Sequence, residues 1–165
     1  MPHSEENLLD QIESLYRERF ADFVAVAASI LGERESAREA VQDAFASVVR
    51  SRRDFRREGP LEAWVWRAVI NAARKKKRRY VRDAQARMSV PALNGTAPDR
   101  LGSDLATLVA ALPERQRLVL FLRYYADLDY LRIAQILGVR TGTVSASLHA
   151  AHKTLRHALE EAVER

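Results

Sequence analysis

The 165-residue chain has no cysteine, which excludes disulfides and thiolate metal sites and is compatible with a reducing cytoplasm. No apolar run approaches the roughly 20 residues that span a bilayer as a helix, so membrane insertion is not expected. The opening stretch, MPHSEENLLDQIE, is acidic and lacks the basic region and apolar core of a secretory signal. Phosphate-binding glycine loops and a nucleophile elbow are missing, and nothing in the chain alternates with the period of a strand. His149, His152 and His157 are close in sequence, but no Cys or acidic residue lies among them. His149 and His152 also diverge around a helix, so neither a metal nor any other cofactor is expected. An enzyme is not expected either.

What is present is charge, unevenly placed. Residues 1–49 carry 4 basic and 10 acidic side chains, residues 50–87 carry 14 and 4, and residues 88–165 carry 9 and 8. One middle segment therefore holds the positive field, and such a segment attracts polyanions, nucleic acid first and an anionic membrane surface second.

Apolar periodicity predicts helices throughout. From Leu9, residues Ile12, Tyr16, Phe20, Phe23, Val24, Ala27, Ala28 and Leu31 recur at steps of three and four and stop at Gly32. Ser36 and Glu39 have the spacing of a capping box for a second helix, whose stripe is Val41, Ala44, Phe45, Val48 and Val49. A basic loop, SRRDFRREGP at 51–60, ends in Pro60, suited to the first turn of a third helix. That helix carries Leu61, Trp64, Val65, Ala68, Val69 and Ala72 on one face and RKKKRR, residues 74–79, at its far end. Six adjacent cations repel one another unless an anion lies close by.

SVPALNGTAPDRLGS, residues 89–103, has no sustained period and is expected to be a flexible linker. Helical spacing returns at Asp104 with Leu105, Leu108, Val109 and Leu112. Pro113 begins a further helix through Leu118, Val119, Leu122 and Tyr125. Asp129 is placed to cap a short helix with Ile133, Ala134, Ile136 and Leu137, closed by Gly138. The last helix opens at Thr141 and keeps Val144, Leu148, Ala151, Leu155 and Leu159 inward. The fold class is thus all-α, in two small helical domains over residues 1–88 and 104–165.

A short helix, a glycine turn and a second helix form the pattern of a helix-turn-helix, although plain helical hairpins share it. With Val144 at the centre of the buried face, Gly142, Ala146, His149, Ala150, Lys153 and Arg156 fall on the opposite side. Thr143, Ser145 and Ser147 carry hydroxyls for bases or phosphates, and the methyl of Ala146 suits a thymine methyl. Trp64 is expected in the core. Trp66 points toward the Arg67 and Arg74 side, where an aromatic among cations on an otherwise solvated face suits single-stranded nucleic acid, the alternative being packing against a neighbouring helix or loop. Glu39 and Asp43, one turn apart, form an exposed acidic face suited to a protein partner.

Four segments in order, LYRERFADFVAVAASILG, ESAREAVQDAFASVVRS, FRREGPLEAWVWRAVINAARKKKRR and LVAALPERQRLVLFLRYYADLDYLRIAQILGVRTGTVSASLHAAHKTLR, resemble a bacterial sigma factor of the sigma-70 family, in its extracytoplasmic-function (ECF) group. The resemblance implies an initiation factor that binds core RNA polymerase, directs it to a promoter and helps melt the duplex. The first domain would be a region 2 bundle and the second a region 4 helix-turn-helix. It implies that Gln42 and Asp43, with Glu39 on the same face, dock on the clamp helices of the largest polymerase subunit. The loop from Phe55 through Arg56 and Arg57 to Pro60 would capture a flipped base of the minus-10 element. Trp66, Arg67, Asn71, Arg74, Lys75 and Arg78 would face that element. The linker would run toward the RNA exit path, and the second domain would meet the flap of the second-largest subunit. Arg140, Thr143, Ser145, Ala146, Ser147, His149, Lys153 and Arg156 would face the minus-35 element. An anti-sigma factor is an implied partner, and the cytoplasm the implied location.

Departures from the family pattern are local. Ser145, Ser147, Ala150 and His152 stand where the recognition helix is commonly basic, Arg132 where a glutamate is usual, and Lys75 where an aspartate is common. Each phosphate neutralised releases counterions. Most binding strength is therefore expected from polymerase and the cationic middle segment, with the helix-turn-helix left to position and select. Two other readings of the residues stay open: a sigma-like regulator that binds DNA without supporting initiation, and an RNA-binding or membrane-surface module built on RKKKRR.

Overall fold

A computed structural model describes residues 2–87 and 103–163. Among these residues it holds seven α-helices and no strand, so the all-α expectation holds: α1 Pro2–Leu31, α2 Arg34–Arg50, α3 Leu61–Ala86, α4 Ser103–Ala111, α5 Glu114–Tyr124, α6 Tyr130–Leu137 and α7 Thr141–Val163. No described helix is long and apolar enough to cross a membrane. The chain divides into two compact units, Met1–Pro91 and Ala92–Arg165. The expected linker at 89–103 lies outside the described residues except for Ser103, which opens α4.

In the first unit each of α1, α2 and α3 packs against the other two. Gly32 ends α1 with φ of +76°, a left-handed conformation that costs glycine nothing, and its N–H donates to the Ala28 carbonyl at 2.8 Å. The next residue starts α2. Glu33 is the N-cap, its carboxylate accepting from the Glu35 N–H at 2.9 Å and the Ser36 N–H at 2.8 Å. The capping box expected of Ser36 and Glu39 is therefore absent. The chain turns three residues earlier, Ser36 lies inside the first turn and is buried, and Glu39 is free to reach another helix. Hydrogen bonds from Ser36 hold the Glu33 carboxyl below its ordinary range.

The core is aromatic at its centre. Phe23 packs on Trp66 with ring centroids 4.2 Å apart and on Phe45 at 5.2 Å, and Tyr16 meets Phe45 at 4.9 Å. Trp66 is fully buried, which corrects its placement on a solvated cationic face. The buried stripe of α3 is Ala63, Val65, Trp66, Val69, Ile70 and Ala73, rotated from the expected one. Ala63 and Ala73 are small enough to let α3 lie close to its neighbours there, and full burial of a large side chain at that contact stabilises by about 1.5–3 kcal/mol. The indole N–H is satisfied by Glu62 at 3.4 Å, and Glu62 in turn pairs with Arg19 at 3.2 Å. RKKKRR is not the far end of α3 either: the helix continues to Ala86, so the cations sit in its interior.

In the second unit α7 packs on α4, α5 and α6 around Leu112, Leu118, Leu122, Leu128, Ile133, Val144 and Leu148, all buried. Leu159, expected inward, is exposed, and so are Leu105 and Tyr125, which mark the spacing of their helices without entering the core. Tyr125 keeps the helix period, its N–H donating to the Phe121 carbonyl and its ring stacking on that of Phe121 at 4.9 Å, on the outer side of α5. Arg117 closes the C-terminus of α4, donating to the carbonyls of Ala110 at 2.8 Å and Leu112 at 2.7 Å. Burial pushes its pKa down, opposed by Glu114.

Candidate nucleic-acid interface

The loop between α2 and α3 begins as a fixed structure. Ser51 donates its N–H and its hydroxyl to the Ser47 carbonyl, and Arg52 reaches back to the Val49 carbonyl at 2.8 Å. A guanidinium at the carbonyl end of a helix satisfies acceptors that would otherwise lack partners. A 3-10 turn, Arg52–Asp54, then delivers Phe55. Its ring lies 5.2 Å from that of Trp64, and both are half-buried. Arg56, Arg57 and Glu58 follow, all exposed, with Arg57 at φ +57° turning the chain toward α3.

The aromatic surface beside the cations is therefore the Phe55–Trp64 pair, and Trp66 has no part in it. Trp64 was missed because it falls on the apolar stripe drawn through Leu61, Val65, Ala68 and Val69. Ala63, Trp66, Ile70 and Ala73 recur at steps of three and four, and that spacing is the signal for Trp66 on the buried face.

Along α3, Arg67, Asn71, Lys75 and Arg78 are exposed and Arg74 is half-buried. At 100° per residue, Arg67, Asn71, Arg74, Lys75 and Arg78 fall within one broad face. Lys76 behaves differently. Its ammonium pairs with Glu39 on α2, and this partner, with Asp43 adding at longer range, raises its pKa against the opposing effect of burial. That pairing supplies the anion the cationic run requires. On α2, Gln42 and Asp43 are exposed, while Glu39 is exposed but engaged by Lys76.

The second unit carries the expected turn. Asp129 caps α6, accepting from the Arg132 N–H at 2.8 Å. Gly138 adopts φ +65°, and the Val139 N–H closes on the Ala134 carbonyl at 3.0 Å. The Arg140 carbonyl then receives the first N–H groups of α7, from Thr143 at 2.9 Å and Val144 at 3.3 Å.

On α7, Val144 is buried, and Gly142, Ser145, Ala146, His149, Lys153 and Arg156 are exposed, as is Arg140 before it; Thr143 is half-buried. Ser147 is half-buried and donates its hydroxyl to the Thr143 carbonyl at 2.8 Å, so its proton is used within the helix. His152 meets the Tyr124 hydroxyl at 2.9 Å with ring centroids 5.7 Å apart, tying α7 to α5.

A helical bundle with a cationic helix and an aromatic-bearing loop, followed by a helix-turn-helix unit, defines a two-part, all-helical nucleic-acid-binding protein. The sigma-70 region 2 family model matches residues 15–83 and the sigma-70 region 4 model residues 103–155. The chain is 27% identical to RNA polymerase sigma factor SigV of Bacillus subtilis (strain 168), over 82% of each chain. It is 24% identical to ECF RNA polymerase sigma factor SigW of the same organism, over 93% of this chain and 95% of that one. Among solved structures, sigma factor RpoE in complex with the anti-sigma factor NepR, from Bartonella quintana, is similar in fold. Its TM-score is 0.73 at 20% identity, covering 90% of this chain and 98% of that one. The chain belongs to the sigma-70 family, in its ECF group. It is a transcription initiation factor that directs RNA polymerase.

Proposed function

We propose that this factor divides its work between its two units. The exposed face of α2 with Gln42 and Asp43, joined by Glu39, docks on the clamp helices of the largest subunit of core polymerase. The Phe55–Trp64 pair, with Arg56 and Arg57, receives an unstacked base of the minus-10 element. Arg67, Asn71, Arg74, Lys75 and Arg78 follow the phosphates of the opened strand. Aromatic faces beside a cationic track suit single strands, because bases stack and phosphates pair. The second unit meets the flap of the second-largest subunit and faces the minus-35 duplex with Arg140, Thr143, Ser145, Ala146, His149, Lys153 and Arg156. An anti-sigma factor restrains the chain in the cytoplasm.

The observation that carries this reading is the exposed cationic face of α3 beside the Phe55–Trp64 pair, on a helix whose other face is built into a core. Run-off transcription with purified core polymerase and genomic promoter fragments tests it. Charge reversal across Arg74, Lys75 and Arg78 should abolish the transcript while leaving polymerase binding intact.

A second reading, a sigma-like regulator that does not itself support initiation, draws on the weakly basic α7, where Ser147 and His152 make hydrogen bonds to other groups of the chain. Stable binding to core polymerase with no transcript from any fragment would favour it.

A further inference from the structure

The apolar stripe that builds α3 into the core ends at Ala73, yet the helix continues to Ala86. The next positions on that stripe, three and seven residues on, are Lys76 and Tyr80. Both turn back to the start of α2. Lys76 pairs with Glu39, its own side chain 19% exposed. The Tyr80 hydroxyl lies 3.0 Å from the buried Ser36 hydroxyl, 44 residues away in the chain. The Lys76 ammonium also sits 5.9 Å from the centroid of the Tyr80 ring, so the two ties form one cluster. Lys75, Arg78 and Arg79, by contrast, are exposed.

A partly exposed ion pair and a single hydrogen bond add little to folding stability. What they fix is orientation. They join the part of α3 that carries the cations to the helix that carries Gln42 and Asp43. We propose that Lys76 and Tyr80 are positioning residues. With Glu39 and Ser36 they hold the cationic face of α3 in register with the outer face of α2, so that opened strand and polymerase are met in one fixed geometry. The inference rests on the division of labour proposed above and adds to it that one cation of the run serves alignment rather than phosphate.

The test uses the full chain with core polymerase and measures three quantities: polymerase affinity, melting temperature of the free chain, and the rate of promoter opening by preassembled holoenzyme at saturating chain. Misplacing groups that must reach their target together slows a process steeply. K76E should therefore slow opening about tenfold at unchanged polymerase affinity. K76R keeps a cation facing Glu39 and leaves α2 untouched, so it should hold opening within about threefold of the parent. Tyr80→Phe removes one hydroxyl at the edge of the fold and should slow opening about threefold without moving the melting temperature.

Opening by K76R no faster than by K76E, or parental opening by both K76E and Tyr80→Phe, overturns the positioning role. Should K76E fail to fold, Tyr80→Phe decides alone. A parent chain that binds polymerase and opens no promoter would overturn the proposed function itself, and the positioning role with it. A parent that opens promoters while K76R opens no faster than K76E overturns positioning only.

Discussion

Replacing Lys75 and Arg78 together by glutamine tests whether the exposed face of α3 tracks opened DNA. Both side chains are exposed and lie outside the buried stripe of the helix, so their loss leaves the core unchanged. Each phosphate contact to a single strand contributes about −0.7 to the slope of log K against log salt. Two lost contacts should therefore flatten the slope by about 1.4. Over a fourfold rise from about 50 to 200 mM salt, the parent should lose about sevenfold more affinity than the variant. The assay is a fluorescence titration of holoenzyme against a single-stranded minus-10 oligonucleotide across that salt range, with polymerase affinity measured separately. An unchanged slope in a variant that binds polymerase normally would refute the reasoning, even if affinity fell, because the two cations would then act through the fold rather than through phosphates.

Trp66→Ala should cost about 3–5 kcal/mol of stability in urea denaturation, since the ring is fully buried against Phe23. Trp64→Ala, which removes a half-buried ring, should cost about 1 kcal/mol by the same measurement while weakening binding to a single-stranded minus-10 oligonucleotide. Gly138→Ala should lower the stability of the second unit by about 1–2 kcal/mol through left-handed strain alone, because a Cβ there would meet nothing within 4 Å. The Glu33 cap adds a pH dependence. Its folded pKa is depressed below 4.5, so its stabilisation is complete above that value and fades as pH falls through the folded pKa. The difference in urea midpoint between the parent and Glu33→Gln should therefore shrink at low pH.

Most of the helices were legible because their apolar spacing is regular and their ends are marked by Gly32, Pro60, Pro113, Asp129 and Gly138. The failures have two causes. The capping box of Ser36 and Glu39 lost to a nearer cap at Glu33, while the placement of Trp66 yielded to a contact with Phe23 made 43 residues away in sequence. Local periodicity says that a helix has a buried face. It does not say how wide that face becomes when two other helices cover it, and here the widening took in Trp66 and Ile70. The exposed side of α7 followed from placing Val144 at the centre of the buried face, because its three packing partners meet the one stripe of Val144, Leu148 and Ala151.

The two connections in the first unit differ in a way that matters for redesign. α1 and α2 are joined through Gly32 and Glu33 alone, where any insertion would destroy both the left-handed turn and the cap. The ten residues 51–60 between α2 and α3 are tied to the bundle mainly at their start, and 56–60 are exposed throughout. Doubling the length of such a segment costs only about 0.6 kcal/mol in closure entropy. On the function proposed above, sequences transplanted between Phe55 and Pro60 should leave the scaffold intact while changing which minus-10 base is preferred.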